Sequence, residues 1–226
     1  MNTYNILFFY HIITYWVSCL LFSILSEYLH NTNNKIYHIV LEKRLQHTPP
    51  WDKVKKALVM SVCNQMVSYP MIYYLSDYCI NEEFNKYTYD PVIIYFLQFA
   101  FYTITTDQWF YITHRFMHSN NFLYKNIHSI HHQWTYPIAV RTIYAHPVEH
   151  IVTNIGSIIA PALIWPSSLS FITFWVCIAT FNAVTGHSGI HFPIFSNEKH
   201  DLHHRLLTYN YGTLGLSDRM YGTRRF

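Results

Sequence analysis

The run from Ile6 to Ser26 contains no Lys, Arg, Asp or Glu. As a helix rising about 1.5 Å per residue it is roughly 30 Å long, the thickness of a bilayer's hydrocarbon core. Inside lipid a backbone must satisfy its own hydrogen bonds, which leaves helices and closed barrels as the available folds. Three further apolar stretches accompany it: Ala57 to Tyr78, with Asn64-Gln65 and Pro70 as interruptions, Val92 to Ile112, and Ile151 to Val184. The last is broken by Pro161 and Pro166. It reads as a hairpin of two helices of about 15 to 17 residues, at the short limit of a span, so that it crosses or only dips into the bilayer. Charged residues make up 12% of the chain, against about 25% in an ordinary soluble domain. Aromatics reach 19%, as suits side chains held at lipid–water interfaces. The first stretch is expected to be an uncleaved anchor. No Lys or Arg precedes it, and it is longer than a signal-peptide core.

Charge placement orients these helices. Lys35, Lys43, Arg44, Lys53, Lys55 and Lys56 follow the first stretch, whereas residues 81 to 90 are net acidic. By the positive-inside rule the basic loop is cytoplasmic and the acidic one faces the other side. The third helix then returns the chain to the cytoplasm before His114, and the hairpin brings it back to that side before His200. The formal charge is only +3 and the basic residues form no stripe that would track phosphates, which excludes nucleic acid as an expected partner. Cys19, Cys63, Cys79 and Cys177 share no spacing motif and read as small buried hydrophobes. No repeat or flexible linker divides the chain. We expect one domain over 1–226, with membrane helices in 1–112 and a histidine-rich region in 113–226 that includes the 151–184 hairpin.

Twelve of the sixteen histidines fall between His114 and His204. They include His114-Arg-Phe-Met-His118, His128-Ser-Ile-His131-His132 and His200-Asp-Leu-His203-His204. At this histidine frequency roughly 0.08 copies of H-x-x-H-H are expected by chance, and two are present. Residues three or four apart share a helix face, so each box is expected to aim its imidazoles at one point. The boxes offer eight ligands, more than one ion takes up, which points to two metals. A structural zinc site takes four ligands and usually includes cysteine, and the zinc-hydrolase pattern H-E-x-x-H is absent from the sequence. All-imidazole ligation suits iron, zinc, copper or nickel.

From His114 onward the chain resembles the fatty acid hydroxylase/sterol desaturase superfamily. The match includes the three boxes, Leu123-Tyr-Lys, His132-Gln-Trp and Tyr144-Ala-His-Pro-Val-Glu149. It continues through Gly186-His-Ser-Gly-Ile-His-Phe-Pro193, Asn210-Tyr-Gly212 and Asp218-Arg-Met-Tyr-Gly-Thr223. The resemblance covers about half the chain. It implies a non-haem diiron enzyme that uses O2 to hydroxylate a membrane lipid or oxidise its methyl group, most readily a sterol, in lipid biosynthesis. It further implies a place in the endoplasmic reticulum and electrons from a separate cytochrome b5 or reductase. It carries over His114, His118, His128, His131, His132, His200, His203 and His204 as ligands of two irons, His187 as a ninth, and His146 as a further ligand or a neighbour of one. The chain departs from methylsterol oxidases at Ile190 and His191. His191 stands four residues after His187, where it is either another ligand or a surface residue beside Phe192-Pro193. A desaturase would share this ligand set, and a non-catalytic metal-binding membrane protein is the alternative of another class.

Ligating histidines commonly donate their second ring proton to a carboxylate or carbonyl. The candidates are Asp107, Glu149, Asp201 and Asp218. His11, His30, His38 and His47 fall in no pattern. The expected architecture is an all-α integral membrane helical bundle of two helical hairpins, with a cytoplasmic helical cap carrying the three histidine boxes.

Overall fold

The computed structural model describes residues 3–31, 50–81, 91–134, 137–190 and 197–225. The basic loop at 32–49, the acidic loop at 82–90 and His191 lie outside the described residues. Within them the chain is helical, without strands, and Ile80 and Ser167 form an isolated parallel bridge. Three long helices, α1 (Thr3–Asn31), α2 (Trp51–Cys79) and α3 (Pro91–Ser119), precede the short α4 (Asn121–Asn126). Two 3-10 turns follow, His128–Gln133 and Ala139–Ile143. Next comes a continuous rod made of α5 (Pro147–Glu149), a π-helical segment His150–Ile155 and α6 (Gly156–Ile164). The helix α7 (Leu169–His187) and the short α8 (Asn197–Leu206) and α9 (Leu216–Met220) complete the chain.

Among the described residues, three helices are long and apolar enough to cross a membrane: Asn5–Leu29, Pro147–Ile164 and Leu169–His187. The hairpin expected over 151–184 is thus longer than its prolines suggest, with members of 18 and 19 residues. The first member runs through Pro161, and the chain breaks instead around Pro166, where Ser168 caps α7 by accepting from Phe171 N. Pro147 occupies the first turn of the rod and the His146 side chain caps it, the position where proline's missing N–H costs nothing.

The long helices are built with polar side chains inward. On α2 the buried residues are Ala57, Ser61, Asn64, Gln65, Ser68, Ser76 and Cys79. Its exposed residues include Val59, Val62, Met66, Tyr74 and Tyr78. On α1, His11, Tyr15 and Ser18 are buried while Ile13, Val17, Leu20, Leu21 and Ile24 face out. Contiguous apolar surface on this scale signals a lipid-facing exterior, and small or polar residues between helices are how membrane bundles associate. The chain is an integral membrane protein on these grounds.

The inward polar groups have partners. Asn64 Nδ2 donates to the carbonyls of Ile143 and Ala145 at 2.8 and 2.9 Å. Trp16 Nε1 donates to Gln65 Oε1 at 3.0 Å, and the Tyr15 hydroxyl donates to Val140 O at 2.8 Å. The Asn64-Gln65 interruption therefore fastens the 139–145 segment, which leads directly into the histidine region. A packed cluster of Leu7, Cys79, Tyr102, Ala162, Phe171, Ile172 and Trp175 joins the helices on the other side. All four cysteines are free thiols.

Candidate metal centre

Nine imidazoles gather above this bundle in two adjoining groups. His114, His118, His128, His132 and His203 form the first, and His131, His187, His200 and His204 the second. Within each group the ligand nitrogens lie within 4.8 Å of one another. The two groups abut, with the His132 and His204 rings 4.5 Å apart between centroids.

The expectation that each box aims at one point holds for the first box alone. The other two are split between the groups. In the α-helical third box the first and last histidines are four apart and share a face, while the middle one is turned away by most of a quarter-turn, so His200 and His204 join the second group and His203 the first. His128 and His132 join the first group and His131 the second. The two copies of the motif exchange their middle histidines, which binds the groups into one centre. The second box lies in a 3-10 turn, where residues three apart eclipse, so α-helical phase does not account for its division.

The ring protons show what the imidazoles are set to hold. A carbonyl only accepts, so a histidine nitrogen that meets one must carry the proton. His114 Nδ1 donates to Tyr211 O at 2.7 Å, His203 Nδ1 to Tyr209 O at 2.7 Å, His131 Nδ1 to Tyr144 O at 3.1 Å and His187 Nδ1 to Ala183 O at 3.2 Å. In each of these four the Nε2 lone pair is bare. The Nε2 atoms nevertheless converge: His131 and His187 are 3.3 Å apart, His118 and His203 3.0 Å, and His114 and His128 3.1 Å. Two bare lone pairs facing each other, as in His131 and His187, repel unless a cation lies between them. Adjacent ligands of an ion with metal–nitrogen bonds of about 2.1 Å are about 3.0 Å apart at right angles, and these spacings match. The donor set therefore fits two nitrogen-ligated metal ions.

Burial keeps the imidazoles neutral, as ligation requires. His128 is held down at about 3 by burial alone. His200 is held at about 3 by burial and then by His114, Arg141 and His128. His131, His203 and His204 are held well below the ordinary histidine value, first by burial. His204 differs in one respect. Arg141 Nη2 donates to its Nδ1 at 2.6 Å, so Nδ1 accepts. A ligating Nε2 on that ring then belongs to an imidazolate, which the guanidinium charge favours.

The four carboxylates expected beside the ligands serve different purposes. Glu149 Oε1 lies 2.9 Å from His128 Nδ1, a buried contact with an imidazole that burial keeps neutral. Asp218 accepts from Tyr211 N at 2.8 Å, Gly212 N at 2.7 Å and Thr223 Oγ1 at 2.7 Å, and so fixes the loop whose Tyr211 carbonyl orients His114. Asp107 accepts from Leu214 N, Ser217 N and Ser217 Oγ. It braces the C-terminal loop from α3 and is bonded there, not to a histidine. Asp201 pairs with Arg205, one turn on, at 3.2 Å. His146 belongs to neither group, because its Nδ1 accepts the Val148 amide as a helix cap.

Sequence reasoning missed the backbone that turns the ligands. Leu207 and Asn210 take positive φ of 63° and 58°, which bends residues 207–211 so that two of their carbonyls meet two histidines. Asn210 tolerates that conformation better than most residues, the one signal available beforehand. Gly212 sits where an added Cβ would lie 2.9 Å from Asp107 Oδ1 and 3.0 Å from Asp218 Oδ2.

Below the metal groups a cavity of about 410 Å³ runs between the helices. It is lined mainly by apolar side chains of α3, the rod and α7, among them Phe99, Phe110, Ile155, Ile158, Trp175 and Ile178. At one end it meets His114 from the first group and His131, His187 and His200 from the second.

A family model described as fatty acid hydroxylase matches residues 99–223. Fatty acid hydroxylase domain-containing protein 2 of Homo sapiens is 37% identical over 180 residues, covering 76% of this chain and 52% of its own length. Methylsterol monooxygenase 2-2 of Arabidopsis thaliana is 37% identical over 139 residues, 56% of this chain and 52% of its own. A very-long-chain aldehyde decarbonylase of Oryza sativa subsp. indica is 35% identical over 146 residues, 59% of this chain and 56% of its own. The chain thus spans about half the length of the curated relatives it matches. No solved structure matches it.

Proposed function

Because the chain belongs to the fatty acid hydroxylase family, we propose that it is a membrane-bound diiron oxidase that uses O2 to hydroxylate a lipid or oxidise its methyl group, with a sterol as the favoured substrate. The observation that carries this reading is the meeting of nine imidazoles, in two adjoining groups, with the end of an apolar cavity. Iron would be held by His114, His118, His128, His132 and His203 at one position and by His131, His187, His200 and His204 at the other. An iron pair there supplies activation of O2 for attack on an unactivated C–H bond. The balance R–H + O2 + two electrons + two protons → R–OH + H2O requires a reductant. A cytochrome b5 or reductase, as a separate protein, is the proposed source.

The chain's own residues do the remaining work. Carbonyls of Tyr144, Tyr209, Tyr211 and Ala183 hold four rings in the tautomer that presents Nε2. Glu149 reaches His128 and also lines the cavity, which makes its carboxyl a group able to hold a proton beside a substrate. Apolar walls exclude water and place the target carbon, and such positioning selects the carbon attacked. The basic residues that follow the first helix favour a cytoplasmic face for the centre by the positive-inside rule, where an endoplasmic reticulum enzyme would meet a cytoplasmic electron donor.

Methylsterol oxidation and aldehyde decarbonylation in the relatives' names favour a lipid substrate. Purified protein, reduced cytochrome b5 and O2, assayed by mass spectrometry on sterol and fatty acyl panels, should yield a product heavier by one oxygen atom. Iron analysis should give about two ions per chain. Product lighter by two hydrogens would replace hydroxylation with desaturation, and one ion or none on folded protein would overturn the two-metal reading.

A further inference from the structure

The cavity's apolar lining is interrupted by two buried histidines that no box contains. His11 comes from α1 and is 4% exposed, and His150 comes from the π-helical segment and is fully buried. Both line the cavity. His11 Nδ1 shares a hydrogen bond with Thr180 Oγ1 at 3.0 Å, and His150 Nδ1 meets Asn154 Nδ2 at 3.5 Å. The Nε2 atom of each ring is buried with no hydrogen-bond partner. A buried polar nitrogen left unmatched is costly, and two such side chains in the wall of one apolar cavity suit a ligand that satisfies both.

Local structure holds them there. The π-helical segment widens the rod at His150, where Gly156 N–H reaches back five residues to Ile151 O. Trp109 Nε1 donates to Val152 O at 2.9 Å and Thr106 Oγ1 to Ser157 O at 2.9 Å, so α3 holds the distorted segment in place. Such π-turns occur mostly at functional sites. On α7, Thr180 lies seven residues before His187. That is two turns, so the pair shares a helix face and stands about 10 Å apart along the axis.

We propose that His11 and His150 form a polar anchor for the substrate's oxygen function, a hydroxyl. The proton logic selects a hydroxyl. Asn154 Nδ2 is a donor, so His150 Nδ1 accepts and its Nε2 carries the proton to be donated. Thr180 can take the His11 Nδ1 proton, which leaves His11 Nε2 to accept. An alcohol oxygen accepts from His150 and donates to His11, whereas a hydrocarbon satisfies neither. The ligand class is therefore an otherwise apolar lipid alcohol. This rests on reading the cavity as the substrate site, but not on turnover.

The test is equilibrium binding to the purified full chain in detergent, without an electron donor, so that no oxidation occurs. Two matched radiolabelled pairs serve as probes: 1-octadecanol against octadecane, and cholesterol against its 3-deoxy analogue. The alcohol of at least one pair should bind on the order of ten- to a hundred-fold more tightly than its deoxy partner, and the pair that responds tells a straight chain from a sterol. His11→Leu and His150→Leu should each bring that ratio down by about tenfold while the deoxy partner binds as before, which also reports an intact cavity. His150→Gln, which keeps a donor, should preserve part of the preference. Equal binding within both pairs by the unaltered protein overturns the proposal, as does an undiminished preference in His150→Leu. Should the leucine variants fail to fold, the unaltered protein's ratio and that of His150→Gln still decide. Inactivity in the oxidation assay with a retained alcohol preference would fault the proposed reaction and leave the anchor standing.

Discussion

Asp218→Asn keeps the shape of a buried side chain and changes only its charge and one acceptor, so its effect can be worked out. Asp218 receives three bonds of 2.7 to 2.8 Å, from Tyr211 N, Gly212 N and Thr223 Oγ1. The asparagine oxygen can replace Oδ1 toward Tyr211 N and Thr223. Its amide nitrogen then faces the Gly212 N–H, donor against donor. One charge-assisted bond, worth about 1.5–3 kcal/mol, is lost, and a buried donor is left unmatched at a cost of about 1–3 kcal/mol. The sum, about 2.5–6 kcal/mol, is a large share of a typical stability of about 5–15 kcal/mol. The loop also carries the carbonyl that orients His114, and disturbing a ligand's orienting partner typically costs about 10–100-fold in metal affinity. Thermal unfolding in detergent should therefore show a clear drop in midpoint. Dialysis against a graded chelator should strip one metal position well before the other, because the second group lacks His114. A variant as stable as the parent would refute the hydrogen-bond account. A destabilised variant that holds both metals as tightly as before would refute the link from Asp218 through Tyr211 to His114.

Replacing His131 by Ala leaves three imidazoles in the second group and five in the first, so elemental analysis should fall from about two metals toward one, and full retention would contradict the division of the second box. Glu149→Gln keeps the volume beside His128 but replaces the carboxyl by an amide, and should weaken metal retention by about 10–100-fold in the chelator assay; no change would mean that the carboxyl does not support the ligand. Asn64→Leu removes the donor from two buried carbonyls, those of Ile143 and Ala145, and should lower stability by about 2–5 kcal/mol, read as a lower unfolding midpoint.

The sequence alone determined the all-helical class and the membrane. An uncharged run as long as a bilayer is thick leaves a backbone few other choices, and α1 follows it. Spacing also singled out eight of the histidines that assemble, because it is local and needs no knowledge of the partner elements, and the ninth, His187, was implied by the family resemblance. All nine imidazoles of the two groups stand in the boxes or in the His-Ser-Gly motif. The same spacing held the division of the α-helical third box between two groups, since positions three and four apart differ in angle, but the sign of that difference matters only once two centres exist. Tertiary structure decided the rest. Asp107 and Asp218 look alike in the sequence, yet each is bonded to C-terminal loop backbone, because burial made unmatched loop N–H groups costlier than a free carboxylate. The prolines at 161 and 166 are equivalent by propensity, and packing of α6 against α3 carried the helix through one and let it break near the other. His11 has no spacing partner within its own helix. Its partners, Thr180 and the cavity it shares with His150, come from elements 139 to 169 residues away, a distance across which only the packed bundle correlates positions.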